Sequence, residues 1–358
     1  MDDSEAMQRA IGLADGVHGT TSPNPWVGCV IESVDGQIFE GATSPPGGPH
    51  AEAQALAAAG DAARDATLWV TLEPCVHQGR TPPCTDAIIA AGVRRVVIAI
   101  VDPDRQVFGG GIEVLRDAGI EVAVGVHAED VRHQLAPYIK HRETGRPWIV
   151  LKLAASLDGR TAAPDGTSQW ITGGGARADS HALRAESDAI VVGAGTVRAD
   201  DPSLTVRHGE GRDPLRVVLG SAPPTAKVHP ALEFKGALED LLDELGRRGV
   251  IQVLVEGGAS VAGDFHRARL VDRYVLYVAP TLFGGDDGRP VFAGPGAATI
   301  ADAWRGRMVH VDRVGDDLRI DLEPSVPSPS TGPVPVVTIP DEEVGSRPLP
   351  PTPGFGGS

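Results

Sequence analysis

Cysteine is scarce in this 358-residue chain, with three in all, and aromatic side chains make up only 4% of it. Three thiols cannot build the dense disulfide framework of a small secreted scaffold, so they belong to a reducing compartment and are open to other chemistry. No uninterrupted apolar run approaches the roughly 18 to 20 residues of a membrane span. The chain starts Met1-Asp2-Asp3-Ser4-Glu5, acidic where a secretory leader is basic. Together these absences predict a cytoplasmic protein without membrane contact. A basic excess is missing too. The 48 acidic and 32 basic side chains leave a net charge of −16, and no cluster of Lys and Arg forms the track that neutralises nucleic-acid phosphates. A small-molecule substrate is favoured over nucleic acid, and one phosphate on it would need only a few local arginines. The length and a hydrophobic fraction of 41% leave room for two domains, each with its own core.

The chemistry concentrates in Pro49-His50-Ala51-Glu52, Glu73-Pro74-Cys75 and Pro82-Pro83-Cys84. One imidazole, two thiolates and a nearby carboxylate are what a catalytic zinc requires: three protein ligands, an open position for water and a proton carrier. His50, Cys75 and Cys84 are read as the ligands and Glu52 as the catalytic proton carrier. The bland reading makes the cysteines small core residues and His50 a satisfied histidine. Against it, Cys75 and Cys84 each follow a proline in a polar, Gly- and Pro-rich segment where an apolar filler has no use. Cys29, inside the apolar run Val27 to Ile31, reads as core. A structural zinc normally recruits four protein ligands, so a set of three points to an open, catalytic site.

Helical spacing over 5–16, strands at 27–31 and 37–41 around a turn at 34–36, and an Ala-rich helix over 50–59 lead into this segment. A strand at 67–72, a helix opened by Cys84, a strand at 96–101, a helix at 111–117 and a strand at 120–124 follow. Both thiolates are expected where a helix begins. Strands alternating with helices imply a layered α/β sheet. Residues 128–147 read as a connecting helix and linker closed by Gly145-Arg146-Pro147. Past it, the strands Ala189 to Val192 and Ile251 to Val255 each run into a Gly-rich turn, Gly193-Ala194-Gly195-Thr196 and Glu256-Gly257-Gly258-Ala259, where helix-start amides can hold a pyrophosphate. Each turn alone is a weak signal, and neither fits Gly-x-Gly-x-x-Gly, so a Rossmann domain is disfavoured. A helix at 240–248, a strand at 273–278 and a hairpin over 308–322 around Gly315-Asp316 complete the second half. From Pro324 to Ser358, ten of 35 residues are proline, a composition that predicts a disordered tail.

His-x-Glu followed by Pro-Cys is the signature of zinc deaminases. Eight residues, Val76 to Pro83, separate the cysteines here where two are usual, and this spacing resembles the deaminase half of the bifunctional riboflavin-biosynthesis deaminase-reductases. Ser22-Pro23-Asn24-Pro25 and Gly79-Arg80-Thr81-Pro82-Pro83-Cys84 resemble that family as well. Lys152-Leu153-Ala154-Ala155-Ser156-Leu157-Asp158-Gly159-Arg160, Ser168-Gln169-Trp170-Ile171-Thr172 and the stretch 188–207 resemble its reductase half. The resemblance implies a cytidine-deaminase-like three-layer domain over 1–145 and a dihydrofolate-reductase-like domain over 146–323. It also implies zinc and NADPH as cofactors, and a phosphoribosylaminopyrimidine substrate that is deaminated and then reduced from ribosyl to ribityl. Ala154, Trp170, Thr196, Asp200, Ser221 and the turn Gly258-Ala259-Ser260-Val261-Ala262-Gly263-Asp264 would line the NADPH site. Ser168, Arg184, Leu204, Arg207 and Glu256 would hold the substrate, the arginines matching its phosphate. Lys152 is a candidate beside the reacting ribose, or else a surface lysine. Asn24 either caps a turn or reads the pyrimidine edge, and His77 is either a substrate contact or a solvated loop residue. Relatives commonly carry histidine at Thr43 and asparagine at Asp104. A homo-oligomer formed through the reductase domain is a further expectation. The rival readings are a relative acting on another aminopyrimidine, a chain whose reductase half alone works, and a nucleic-acid base deaminase, which the acidic balance opposes.

Overall fold

The computed structural model describes residues 1–76, 82–104, 107–207 and 212–325. Helix α1 (Asp3–Asp15) begins where the Asp2 carboxylate accepts the Glu5 N–H, an ordinary N-cap. Strands β1 (Gly28–Glu32) and β2 (Ile38–Ala42) form the expected hairpin, and α2 (Ala51–Ala59) follows. Next come β3 (Thr67–Leu72), α3 (Cys84–Ala91), β4 (Arg95–Ile100), α4 (Gly110–Asp117) and β5 (Glu121–Val124). The five strands form one sheet in the order β2-β1-β3-β4-β5, with β3, β4 and β5 parallel. Gly28 lies beneath Ala10 of α1 and Gly41 beneath Ala51 of α2. In the β1–β2 register these glycines fall on opposite faces, so the two helices sandwich the sheet. Helices α3 and α4 continue the α2 layer.

Residues 128–147 depart from the expected single helix and linker. They form two helices, α5 (Ala128–Gln134) and α6 (Ala136–Thr144), parted at Leu135. Pro137 explains the break: it sits in the first turn of α6, where its missing N–H costs nothing, whereas inside one continuous helix it would interrupt the ladder. Gln134 of α5 donates to the Ile11 carbonyl, joining α5 to the α1 layer.

The second unit runs β6 (Trp148–Ser156), β7 (Arg160–Ala162), α7 (Gly174–Ala185), β8 (Ala189–Gly193), α8 (Ala194–Asp200), β9 (Leu215–Leu219), β10 (Leu232–Phe234), α9 (Leu238–Arg247), β11 (Gln252–Val255), α10 (Ala259–Arg267), β12 (Arg273–Ala279), β13 (Arg289–Pro290), β14 (Gly306–Val314) and β15 (Asp317–Pro324). Its main sheet has the order β10-β9-β8-β11-β6-β12-β15-β14. The strands from β10 to β12 are parallel, and β15 and β14 close the edge as the expected hairpin. Ile149, Leu151 and Val253 pack one face with Leu241, Leu245 and Phe265, while Val150, Ile190 and Leu254 pack the other with Ala176 and Leu183. Burial on both faces is why β8 and β11 read as unbroken apolar runs. Among the described residues no helix is long and apolar enough to cross a membrane. Residues 326–358, nearly all of the proline-rich stretch, lie outside the described part.

The two units meet along α6. The Lys140 ammonium pairs with Asp272 at 2.5 Å, both side chains less than a tenth exposed, and Asp272 also accepts the Ile149 N–H at 2.7 Å. His141 bonds the Gly246 carbonyl, and a Cβ on Gly246 would lie 1.8 Å from the Gly145 carbonyl oxygen, so only glycine admits this approach. On the other side of α6, Tyr138 donates to Asp102, just past β4. Burial raises the Asp102 carboxyl to about 6.

Lys140→Met leaves Asp272 buried without its counter-charge and should destabilise the chain by roughly 3–5 kcal/mol in chemical denaturation, whereas Lys140→Met with Asp272→Asn should recover much of the loss. The Asp102 carboxyl holds its proton more tightly folded than unfolded. Its contribution is therefore complete below about pH 3.9 and is lost as pH rises through about 6, by up to about 3 kcal/mol. Asp102→Asn should flatten that part of the stability profile, and an unchanged slope between pH 4 and 6 would refute the assignment.

Candidate functional site

His50 is the N-cap residue of α2, in extended conformation, and Cys84 is the first residue of α3. Cys75 lies three residues past β3, in a loop, which corrects the expectation that both thiols open helices. The strand ends earlier because Pro74 cannot donate to a ladder. Cys75 still faces a helix start, since its Sγ accepts the Cys84 N–H at 3.4 Å and its carbonyl accepts the Thr85 N–H at 3.3 Å.

The Nδ1 of His50 lies 3.6 Å from the Sγ of Cys75 and 3.3 Å from that of Cys84, and the three donor atoms fall within 4.8 Å of one another. Tetrahedral zinc with ordinary bond lengths separates such ligand atoms by roughly 3.5 to 3.8 Å, so the donor set fits the ion in chemistry and spacing. The Cys75 thiol is drawn down, first by its hydrogen bond with Cys84, against burial, and then by His50, while Cys84 is pushed up by the same contact. His50 is raised, chiefly by its bond to Cys75. Glu52, in the first turn of α2, is 4% exposed, and burial holds its carboxyl at about 7. Cys29 is fully buried in the core, as expected.

The neighbouring positions divide. The Asn24 backbone closes a turn with Thr21, and its side chain is half-buried. The Thr43 hydroxyl bonds the Val27 backbone, so it holds the loop before His50 against β1. Asp104 pairs with Arg142. His77 and the run 79–81 lie outside the described residues. The sequence reading assigned no role to Glu73, which accepts backbone N–H groups from Asp102, Gly109, Gly111 and Ile112. A carboxylate one residue past a buried strand, with a Gly-rich segment downstream, was the available signal.

In the second unit a cleft opens at the carboxyl end of β11 beside β6, where open α/β sheets place ligands. Lys152, Ala154, Thr161, Glu256, Gly258 and Ala259 are among its lining residues. The cleft contains a buried charge cluster. Arg184 donates through Nε and Nη2 to the two Glu256 oxygens at 2.7 and 2.8 Å, and Lys152 Nζ stands 3.9 Å away. Burial pushes Glu256 up, but Lys152 and then Arg184 outweigh it, so the carboxyl sits below its ordinary value. Lys152 is thus a cleft residue and not a solvated surface lysine. Two Arg184 nitrogens are committed to Glu256, so a phosphate would meet the rest of the guanidinium.

The N-cap residues of α8 and α10, Gly193 and Gly258, make no side-chain cap, which leaves first-turn N–H groups for a ligand such as a dinucleotide phosphate. The run 258–264 is not the expected turn. After Gly258 it is helix, with Ala259 and Ser260 at its start, Val261 packed against Gly257, Ala262 buried, Gly263 beneath the Ala293 carbonyl and Asp264 paired with Arg267. Thr196 stands beside Gly258, and Asp200 is exposed at the end of α8. Trp170 is exposed, with the Arg177 guanidinium 4.6 Å over its ring, and Ser168 is half-buried nearby in sequence. The Leu204 side chain is buried in the core, so only its backbone can face a ligand. Arg207 and Ser221 are exposed.

Residues 1–100 match the cytidine and deoxycytidylate deaminase zinc-binding region, and residues 147–320 match the RibD C-terminal domain. The chain is 41% identical to riboflavin biosynthesis protein RibD of Escherichia coli over 90% of this chain and 99% of that one. It is 44% identical to RibD of Mycobacterium tuberculosis, covering 89% and 96%. Among solved structures, Acinetobacter baumannii RibD superposes with a TM-score of 0.85 at 39% identity, covering 90% and 99% of the two chains. A deaminase/reductase from Thermotoga maritima superposes with a TM-score of 0.81 at 35% identity, covering 90% and 98%. With two converging donor sets on two sheets, the chain belongs to the RibD family of riboflavin biosynthesis, bifunctional enzymes with a zinc-binding deaminase domain followed by a reductase domain.

Proposed function

We propose that the first site converts 2,5-diamino-6-(5-phosphoribosylamino)pyrimidin-4-one to 5-amino-6-(5-phosphoribosylamino)uracil and ammonia, and that the second reduces the ribosyl group of that product to ribityl with NADPH. The observation that carries the reading is the approach of His50, Cys75 and Cys84 to within 4.8 Å beside the buried Glu52. These three residues would hold zinc, which when bound would activate a water near neutral pH. Glu52, buried and titrating near neutrality, takes one proton from the attacking water and delivers it to the ring nitrogen, then takes the hydroxyl proton of the resulting adduct and delivers it to the amine, which departs as ammonia. Burial keeps that proton from exchanging with solvent while the substrate is bound.

In the second site NADPH supplies the hydride. The uncapped starts of α8 and α10 would hold its phosphates, with Ala154, Thr196, Trp170, Asp200 and Ser221 as the further residues that would contact it. Ser168, Leu204 and Arg207 hold the substrate with the Arg184–Glu256 pair, and Lys152 directs its charge toward the reacting ribose. The deaminase domain spans 1–145 and the reductase domain 146–323, a division supported by the seam at α6; Pro324 ends β15, and residues 326–358 lie outside the described part. The net charge of −16 argues against a nucleic-acid partner, and the free thiols Cys29, Cys75 and Cys84 suit a reducing, cytoplasmic compartment. Met308, Val311 and Leu318, apolar and exposed on the outer hairpin, support a homo-oligomer formed through the reductase domain.

Incubation with the diaminopyrimidine phosphate, first without NADPH and then with it, tests both steps by ammonia release and NADPH oxidation. Glu52→Gln should lower ammonia release by roughly 10²- to 10⁴-fold while retaining zinc and the reduction of supplied uracil intermediate; loss of both activities in a folded variant would contradict separate sites. Glu256→Gln should act in the opposite sense. By misplacing Arg184 and Lys152 it should slow reduction on the order of 10²-fold and spare ammonia release. Equal rates of NADPH oxidation in the variant and the parent would remove this cluster from the reductase site.

A further inference from the structure

We infer that Glu73 is a positioning residue for the metal centre, holding the Cys75 sulfur in place by clamping the segment that carries it to the start of α4. The inference rests on the proposed ligand set. Glu73 is 3% exposed and lies two residues before Cys75. Its Oε2 accepts the N–H groups of Asp102 at 3.1 Å and Gly109 at 3.0 Å, and its Oε1 accepts those of Gly111 at 2.9 Å and Ile112 at 3.2 Å. Its own N–H donates to the Ile100 carbonyl. One side chain therefore joins the end of β3, the end of β4 and the first turn of α4.

That helix has no side-chain cap of its own, since its N-cap residue is Gly109. The carboxylate supplies one from another strand and adds the favourable placement of negative charge at a helix start. Four donors at two oxygens demand an acceptor on each. A glutamine would turn an NH₂ group toward two of them and leave those N–H groups buried without partners.

Steric fit carries the clamp to the ligand. A Cβ on Gly111 would lie 2.3 Å from the Pro74 carbonyl oxygen and 3.1 Å from the Glu73 Cγ, so the first turn of α4 presses on the peptide that leads into Cys75. From the opposite side Cys84 and Thr85 of α3 hold Cys75 through its sulfur and its carbonyl. The thiol stands between two helix starts, and Glu73 sets its distance from one of them.

The test is zinc competition with a chromophoric chelator on the full chain, with deaminase and reductase rates measured on the same preparations. Glu73→Gln should lower zinc affinity by roughly 10- to 100-fold and reduce the deaminase kcat at saturating zinc, with the reductase rate unchanged. Gly111→Ala, which pushes the same peptide from the other partner, should shift zinc affinity in the same direction. Cys75→Ser is run beside them as the ligand control. If Cys75→Ser loses zinc and Glu73→Gln keeps the parental affinity, the positioning role is refuted and the ligand set stands. If Cys75→Ser keeps zinc, the ligand set itself is refuted. A Glu73→Gln chain that loses reductase activity in parallel would reduce Glu73 to a general fold residue, and should that variant not fold, Gly111→Ala decides by the same criteria.

Discussion

Three donors, two from helix starts and one from the loop that follows a strand, must meet within 4.8 Å, and the architecture of the first unit follows from that requirement. His50 arrives on α2 and Cys84 on α3, and both helices lie on the same face of the sheet. Cys75 arrives at the end of β3, the central strand, between β1 and β4. A parallel β3–β4 pair needs a crossover, and the segment from Cys75 through α3 is that crossover. The ligands therefore occupy the connection that the topology already requires. A helix start adds electrostatic advantage, because thiolate and carboxylate both gain where backbone N–H groups point outward.

The second unit solves a different problem. Its cleft depends on backbone N–H groups at two uncapped helices and on one carboxylate shared between Arg184 and Lys152. A buried pair of this kind adds little stability by itself, because desolvation offsets the attraction, but it fixes where charge sits. In a chain with 16 more acidic than basic groups, each buried cation must have a defined partner, or a surface carboxylate will compete for it. Arg319 illustrates the same economy on the other flank of the sheet, bridging Asp179 and Asp321 while Tyr277 donates to Asp179.

These two designs explain what could be read in advance. Side-chain ligands leave a spaced pattern, so His50, Cys75, Cys84 and Glu52 were legible as a group, and β3 was legible to the residue because it is apolar and ends at a proline. The β14–β15 hairpin was equally plain, turning at Gly315. Backbone sites leave only glycines, and glycine has several reasons to be present. Gly258 stands at a helix start facing the cleft, yet Gly263, in the same run, exists because Ala293 packs on it. Pairings between distant residues left no local mark at all. Nothing near Lys140 points to Asp272, 132 positions away, and nothing near Arg184 points to Glu256. Strand order in the eight-stranded sheet is a further long-range property of this kind.

The seam between the units bears on whether the two reactions constrain each other. Among the described residues its contacts include the buried Lys140–Asp272 pair, the Gly246–Gly145 approach, the Arg146–Asp243 and His133–Glu323 bridges and the packing of Gly19 on the Ala185 carbonyl. None of the three ligand residues and none of the Lys152–Arg184–Glu256 cluster takes part in it. Each site is thus built from its own sheet, and the seam comes near one centre where Gly19 packs on Ala185, the residue after Arg184. Coupling between the steps would need an element with two arrangements biased by both sites. The seam is poorly suited to that role, because shifting α6 would unpair a buried charge and drive Gly246 into the Gly145 carbonyl. The arrangement favours two reactions that share a chain for proximity and not for mutual control.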